Sequence, residues 1–220
     1  PERKNGKQPV VLTPNPFYQV YAVAALSVGA EPVYLPATQA TGELPDFHAI
    51  APDILDRTAI AYICSPANPQ GAVASEAYWE ALISLAERHD FKIFADECYS
   101  EIYRDTPPPG ALQVAQRMGV DPERVMVFHS LSKRSNLPGL RSGFVAGDAQ
   151  LLQQFLLNRT YHGCSMSELT QQISQAAWSD EAPVSSNRQT YNAKSASARA
   201  TPAPLPASNL PTAPLSPLPQ

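Results

Sequence analysis

Short, almost wholly apolar runs separated by turn signals set the pattern of this chain. Val10-Val-Leu12, Glu31-Pro-Val-Tyr-Leu35, Ala59 to Cys64, Phe91 to Ala95, Val125 to Phe128 and Arg141 to Gly147 each read as a strand. Apolar runs of this length bounded by Pro, Gly and Asn are what a sheet buried on both faces produces. Between them lie helical periods. The clearest is Glu76 to His89, where Trp79, Leu82, Ile83 and Ala86 fall at i, i+3, i+4 and i+7 and predict a stripe packed on a sheet. A helix is also expected over Phe17 to Val28, with Val20, Val23, Ala24 and Ser27 on one face and Gly29 closing it. Others are expected over Asp46 to Arg57 (interrupted at Pro52), Ala111 to Met118, Gln150 to Arg159 behind an Asp148 cap, and Ala176 to Glu181. Strands alternating with helices predict an α/β fold: three layers, a mainly parallel sheet covered by helices.

From Ser195 the pattern stops. Ala, Ser, Thr and Pro dominate, with prolines at 202, 204, 206, 211, 214, 217 and 219, so a disordered or polyproline-like tail is expected over 195–220. The domain reading is a core unit over 1–165, a connecting piece over 166–194 and that tail. Pro1 at the start, in place of an initiator Met, points to a fragment.

Composition narrows the function. Of 220 residues, 44% are hydrophobic and 16% charged, and the net charge is −4. No basic patch with interleaved aromatics offers a nucleic-acid surface. No run of 18 apolar residues offers a membrane span. Cys64, Cys98 and Cys164 are widely spaced and odd in number, and read as free thiols packed as small apolar residues in a reducing compartment. A cytoplasmic protein is expected. His48, His89, His129 and His162 lack metal-ligand spacing, so no metal site is expected.

The chemistry-bearing residues all follow strand ends, where open α/β sheets place their ligands. Asn68 follows Cys64; Asp96 and Tyr99 follow Ala95; Ser130 and Lys133 follow Phe128, with Arg141 eight residues beyond the lysine. Taken singly each has a bland reading: Asn68 as a turn residue, Asp96 as a cap, Tyr99 as core, Lys133 as a solvated charge. Together, an acid, a phenol, an amide, an amine and a hydroxyl with a guanidinium suit a cofactor bearing a cationic ring nitrogen and a phosphate. Ser130-x-x-Lys133 also fits the S-x-x-K pattern of serine acyl-enzymes. The companion S-D-N and K-T-G elements are missing, and the serine is expected to follow a strand and not to open a helix.

Ser65-Pro-Ala-Asn-Pro-Gln-Gly71, Asp96-Glu-Cys-Tyr99 and Ser130-Leu-Ser-Lys133 with Arg141 resemble the large domain of the class I/II aminotransferases, the fold-type I pyridoxal-phosphate enzymes, from about Val10 to Ser165. Ser132-Lys-Arg-Ser-Asn-Leu-Pro-Gly-Leu-Arg-Ser-Gly143, with Thr13-Pro-Asn-Pro-Phe-Tyr-Gln19, is similar to the succinyldiaminopimelate aminotransferases of lysine biosynthesis. The resemblance implies pyridoxal 5′-phosphate as cofactor, with Lys133 as its covalent anchor and proton carrier. It assigns Asp96 to the ring nitrogen, Asn68 and Tyr99 to the ring oxygen, and Ser130 and Arg141 to the phosphate. Cys98 would lie against one ring face, where Ala is common in relatives. The aromatic that stacks on the ring is unassigned: Asn15 stands there, with Phe17 and Tyr18 nearby. The implied substrates are an amino acid, N-succinyl-diaminopimelate, and 2-oxoglutarate, in an enzyme that is a homodimer in relatives. The family's glycine-rich phosphate loop would precede residue 1, and its small domain, with a carboxylate-binding arginine, would follow the Trp178 region. A non-catalytic remnant, or an aminotransferase of other specificity, are the alternatives.

Overall fold

In a computed structural model, the structure describes residues 3–119 and 122–200. Six strands form one sheet: β1 (Val10–Asn15), β2 (Glu31–Pro36), β3 (Thr58–Cys64), β4 (Lys92–Asp96), β5 (Val125–Ser130) and β6 (Gly143–Gly147). Their order is β2-β1-β3-β4-β5-β6. The first five run parallel and β6 pairs antiparallel with β5. The helices are α1 (Gln19–Ser27), α2 (Pro52–Leu55), α3 (Glu76–His89), α4 (Ala111–Met118), α5 (Leu131–Arg134), α6 (Ala149–Tyr161), α7 (Glu168–Ser179) and α8 (Ala182–Ala200). The mainly parallel, helix-covered α/β sheet expected from the sequence is present.

Alternation along the strands sorts the two faces. Val10, Leu12, Ala61, Ile63, Ile93 and Ala95 join Trp79, Leu82, Ile83 and Ala86 of α3 and Val114 of α4 in the main core, so the predicted α3 stripe is buried. The side chains between them, Val11, Ile60 and Tyr62, turn to the opposite face and meet Ala25 of α1. Ser75 caps α3, its hydroxyl accepting from Tyr78 N, and the indole of Trp79 donates to Pro109 O at 3.1 Å. Asp148 caps α6 as expected, accepting from Leu151 N at 2.6 Å.

Several details differ from the sequence reading, among them the expected helix Ala176 to Glu181, which instead straddles the break between α7 and α8. β1 continues through Thr13-Pro-Asn15, which read as a turn; beyond Leu12 it pairs only with β2, so the donor that Pro14 lacks is not needed by β3. α1 buries Tyr21, Ala22 and Ala25, while Val20 and Val23 are exposed. That helix is apolar on most of its circumference, so periodicity does not select the face, and the small alanines permit close approach to the sheet. Arg141 is not in β6: its backbone is left-handed, φ 56°, and the strand opens at Gly143. Finally, α8 runs to Ala200, so residues 195–200 are helical where a disordered tail was expected. The stretch Ser195-Ala-Ser-Ala-Arg-Ala200 has no proline and three alanines, the best helix former. The rest of that tail, 201–220, lies outside the described residues.

Among the described residues no helix is long and apolar enough to cross a membrane.

Candidate functional site

β2 is added on one side of β1 and β3 on the other, so the strand order reverses between β1 and β3 although both strands run parallel, and open α/β sheets form a ligand crevice outside the carboxyl ends at such a point. A cavity of about 440 Å³ lies there. All six residues singled out in the sequence line it: Asn68, Asp96, Tyr99, Ser130, Lys133 and Arg141. The register explains the gathering, since Cys64 pairs with Asp96 and Asp96 with Phe128 across neighbouring parallel strands.

Asn68 sits on a tight turn after β3, closed by Gly71 N to Ala67 O at 2.7 Å and Ala67 N to Ala72 O at 2.8 Å. Gly71 supplies the left-handed corner, φ 75°. Asp96 ends β4. Its Oδ1 accepts from Cys98 N at 3.2 Å and its Oδ2 from the Tyr21 hydroxyl at 2.5 Å. Lys133 rises from α5, its Nζ 5.8 Å from the centre of the Tyr99 ring. No carboxylate pairs with Lys133 among the described residues.

Ser130 ends β5 and also caps α5, so the serine does open a short helix, contrary to the sequence reading. Its hydroxyl accepts from Ser132 N at 3.1 Å and donates to Ser132 Oγ at 2.9 Å. Arg141 is exposed, lines the cavity and donates from Nη1 to Pro138 O at 2.7 Å, one of the five donors of its guanidinium.

The sequence reading missed several lining residues. Tyr21 is 5% exposed and touches Asp96. Ser132 stands beside the lysine, and Gln70 has a buried side-chain oxygen with no partner. Phe17 and Tyr18 line the cavity, whereas Asn15 does not. A hydroxyl next to Lys133 was a visible signal for Ser132. No local signal marks Tyr21, which lies 75 residues from its partner.

Burial governs the proton affinities. It raises the Cys64 thiol to about 12, with the nearby Asp96 charge adding to the effect. It also raises Cys98 and Tyr21 above their ordinary values, again with Asp96 second. These three groups therefore stay neutral around one carboxylate at physiological pH. Cys64 and Cys98 line the cavity as free thiols, but Cys164 is exposed, not packed as expected.

Two late helices brace the lysine loop. Asn187 of α8 donates to Lys133 O at 3.0 Å, and Arg134 donates to Ala177 O at 3.2 Å while lying over the Trp178 ring. Arg188 of α8 pairs with Glu101 at 2.5 Å, just beyond Tyr99.

A carboxyl group, an amine, two hydroxyls and a guanidinium lining one cavity suit a small aromatic cation carrying an anionic arm. Pyridoxal phosphate has this distribution of charge, and the donor set fits it. The comparisons agree: the chain belongs to the aminotransferase class I and II family, whose model matches residues 3–201. That match reaches past the Val10 to Ser165 span visible by eye. The family is pyridoxal-phosphate-dependent. Among curated relatives, the LL-diaminopimelate aminotransferase of Dehalococcoides mccartyi is 36% identical over 146 residues, covering 65% of this chain and 36% of the relative. That of Desulforudis audaxviator is 39% identical over 141 residues, covering 64% and 35%. Among solved structures, an aminotransferase from Neisseria meningitidis is 47% identical with a TM-score of 0.82, covering 86% of this chain and 48% of that one. An aminotransferase from Helicobacter pylori is 39% identical with a TM-score of 0.78, covering 83% and 48%. The chain thus spans about a third of the length of these curated relatives and about half of these solved chains.

Proposed function

We propose that the chain binds pyridoxal phosphate through the residues of this cavity and serves amino transfer between an amino acid and a 2-oxo acid. The observation that carries the reading is the enclosure of one cavity by Asp96, Lys133, Ser130 and Arg141 from three separate strand ends. When bound, the cofactor supplies an electron-accepting ring that makes a proton on the substrate's α-carbon labile. Asp96 would pair with the ring nitrogen, its carboxylate already held in place by the Tyr21 hydroxyl and Cys98 N. Lys133 would hold the cofactor covalently until substrate replaces it, then take and return the α-carbon proton through Nζ. Asn68 and Tyr99 would donate to the ring oxygen. Ser130 and Arg141 would hold the phosphate, as hydroxyl and guanidinium donors do.

The amino donor in this proposal is a diaminopimelate, N-succinylated at one nitrogen, with 2-oxoglutarate as acceptor, in a cytoplasmic homodimer serving lysine biosynthesis. The printed names of the curated relatives support the diaminopimelate skeleton. The string Ser132 to Gly143 favours the succinyl form. Residues 1–165 would be the large domain and 166–194 the start of a connection to a small one.

Spectral titration of the purified chain tests the reading. A visible band should grow with added pyridoxal phosphate and be lost in Lys133→Ala; no band in either protein would refute it. Mixing the loaded chain with N-succinyl-diaminopimelate, diaminopimelate and 2-oxoglutarate then separates turnover from bare retention and ranks the donors.

A further inference from the structure

A tyrosine hydroxyl taken out of water finds a hydrogen-bond partner, and half-buried Tyr78 donates to a backbone carbonyl, Pro45 O, at 2.7 Å. Tyr21 does otherwise: from α1 it reaches across the sheet to the carboxylate at the end of β4. Its ring is stacked on Tyr62, with centroids 4.5 Å apart and planes 10° from parallel, and Tyr62 in turn meets Phe94 edge-on. That platform fixes where the hydroxyl stands. Tyr21 and Cys98 N together engage one lone pair on each oxygen of Asp96, so the carboxylate is pinned in rotation while keeping acceptor capacity toward the cavity.

Resting on the cofactor reading above, we propose that Tyr21 is a positioning residue: its hydroxyl holds Asp96 in the orientation from which the carboxylate engages the cofactor's ring nitrogen. Burial keeps the phenol protonated, so it donates to the carboxylate. Its contribution passes through Asp96 and is felt only by a ligand that carries a nitrogen at that ring position.

The test compares pyridoxal phosphate with an analogue whose ring nitrogen is replaced by carbon, each titrated calorimetrically into wild type and Tyr21→Phe. The phenylalanine keeps the stack on Tyr62 and removes the hydroxyl alone. Loss of a hydrogen bond to a charged group predicts about tenfold weaker binding of pyridoxal phosphate, with the analogue changed less than about twofold. Equal losses for both ligands would mark a packing role and overturn the proposal, as would no loss for either. If wild type binds neither ligand, the cofactor reading falls and this inference with it. Should Tyr21→Phe not fold, 3-fluorotyrosine at position 21, a more acidic donor of the same shape, gives the second measurement. It should alter affinity for pyridoxal phosphate and leave the analogue unmoved, and an equal response overturns the proposal.

Discussion

Gly143→Ala would strike the joint between β5 and β6 beside Ser130 and Arg141, the groups proposed to hold the phosphate. Gly143 lies opposite Ser130 in the antiparallel pair. A methyl there would stand 2.5 Å from the carbonyl oxygen of His129 and 3.6 Å from the Ser130 Cα. Both neighbours are backbone and cannot rotate aside. The first contact is about 1 Å inside ordinary separation, so the strands must part by a similar amount. Overpacking of this kind costs about 1–3 kcal/mol, which in a chain of this size lowers the melting temperature by roughly 2–12 °C. The same shift carries Ser130 and, through Leu131 N to Ser142 O at 3.1 Å, the start of the lysine helix. That displacement moves the groups proposed to hold the cofactor, so affinity for pyridoxal phosphate should fall. Thermal melts and pyridoxal-phosphate titration read the two effects. Gly139→Ala is the control: it lies in the connection just before β6, and an added methyl meets nothing within 4 Å. A Gly143→Ala chain with wild-type melting and wild-type cofactor affinity would show that β5 and β6 are not apposed as described.

Two further expectations are simpler. With a chromogenic disulfide reagent at pH 8, exposed Cys164 should react in a fast phase and Cys64 and Cys98, buried and with raised proton affinity, in a slow one; three equally fast thiols would contradict the burial. Asp90 closes α3 in a left-handed conformation that Asn also tolerates, and the Arg124 hydrogen bond holds its carboxyl below the usual range. A depressed carboxyl stabilises the fold above its unfolded value, and that stabilisation is lost as pH falls through the folded value. Asp90→Asn should therefore cost under about 1 kcal/mol at pH 7, because the pair is exposed, and the difference should close as the pH falls below the carboxyl's folded value. Denaturant melts on either side of that value check the sign.

How much of this was legible in the string depends on where the constraint acts. Strands buried on both faces must be apolar along their length, so β3, β4 and β5 announce themselves, and the groups just past their ends follow in place: Asn68, Asp96, Lys133. The α3 stripe is equally plain because that helix is polar on its other side. α1 carries no such contrast. Its alanines and valines make both faces apolar, and only the sheet decides that Tyr21 turns inward and Val20 and Val23 outward. β1 misled for a related reason: Pro14 signals a turn locally, yet the partner that would have needed its donor is absent at that level. Sequence motifs therefore disclose groups held by a local rule, a strand end or a cap. They are silent on groups whose role is conferred by contact across 75 positions, as with Tyr21 on Asp96, or by docking of a later helix, as with Asn187 on Lys133. Such supporting residues fix the angles and charges of the motif residues, so a chain can retain every motif and still lose the geometry that makes the motif work.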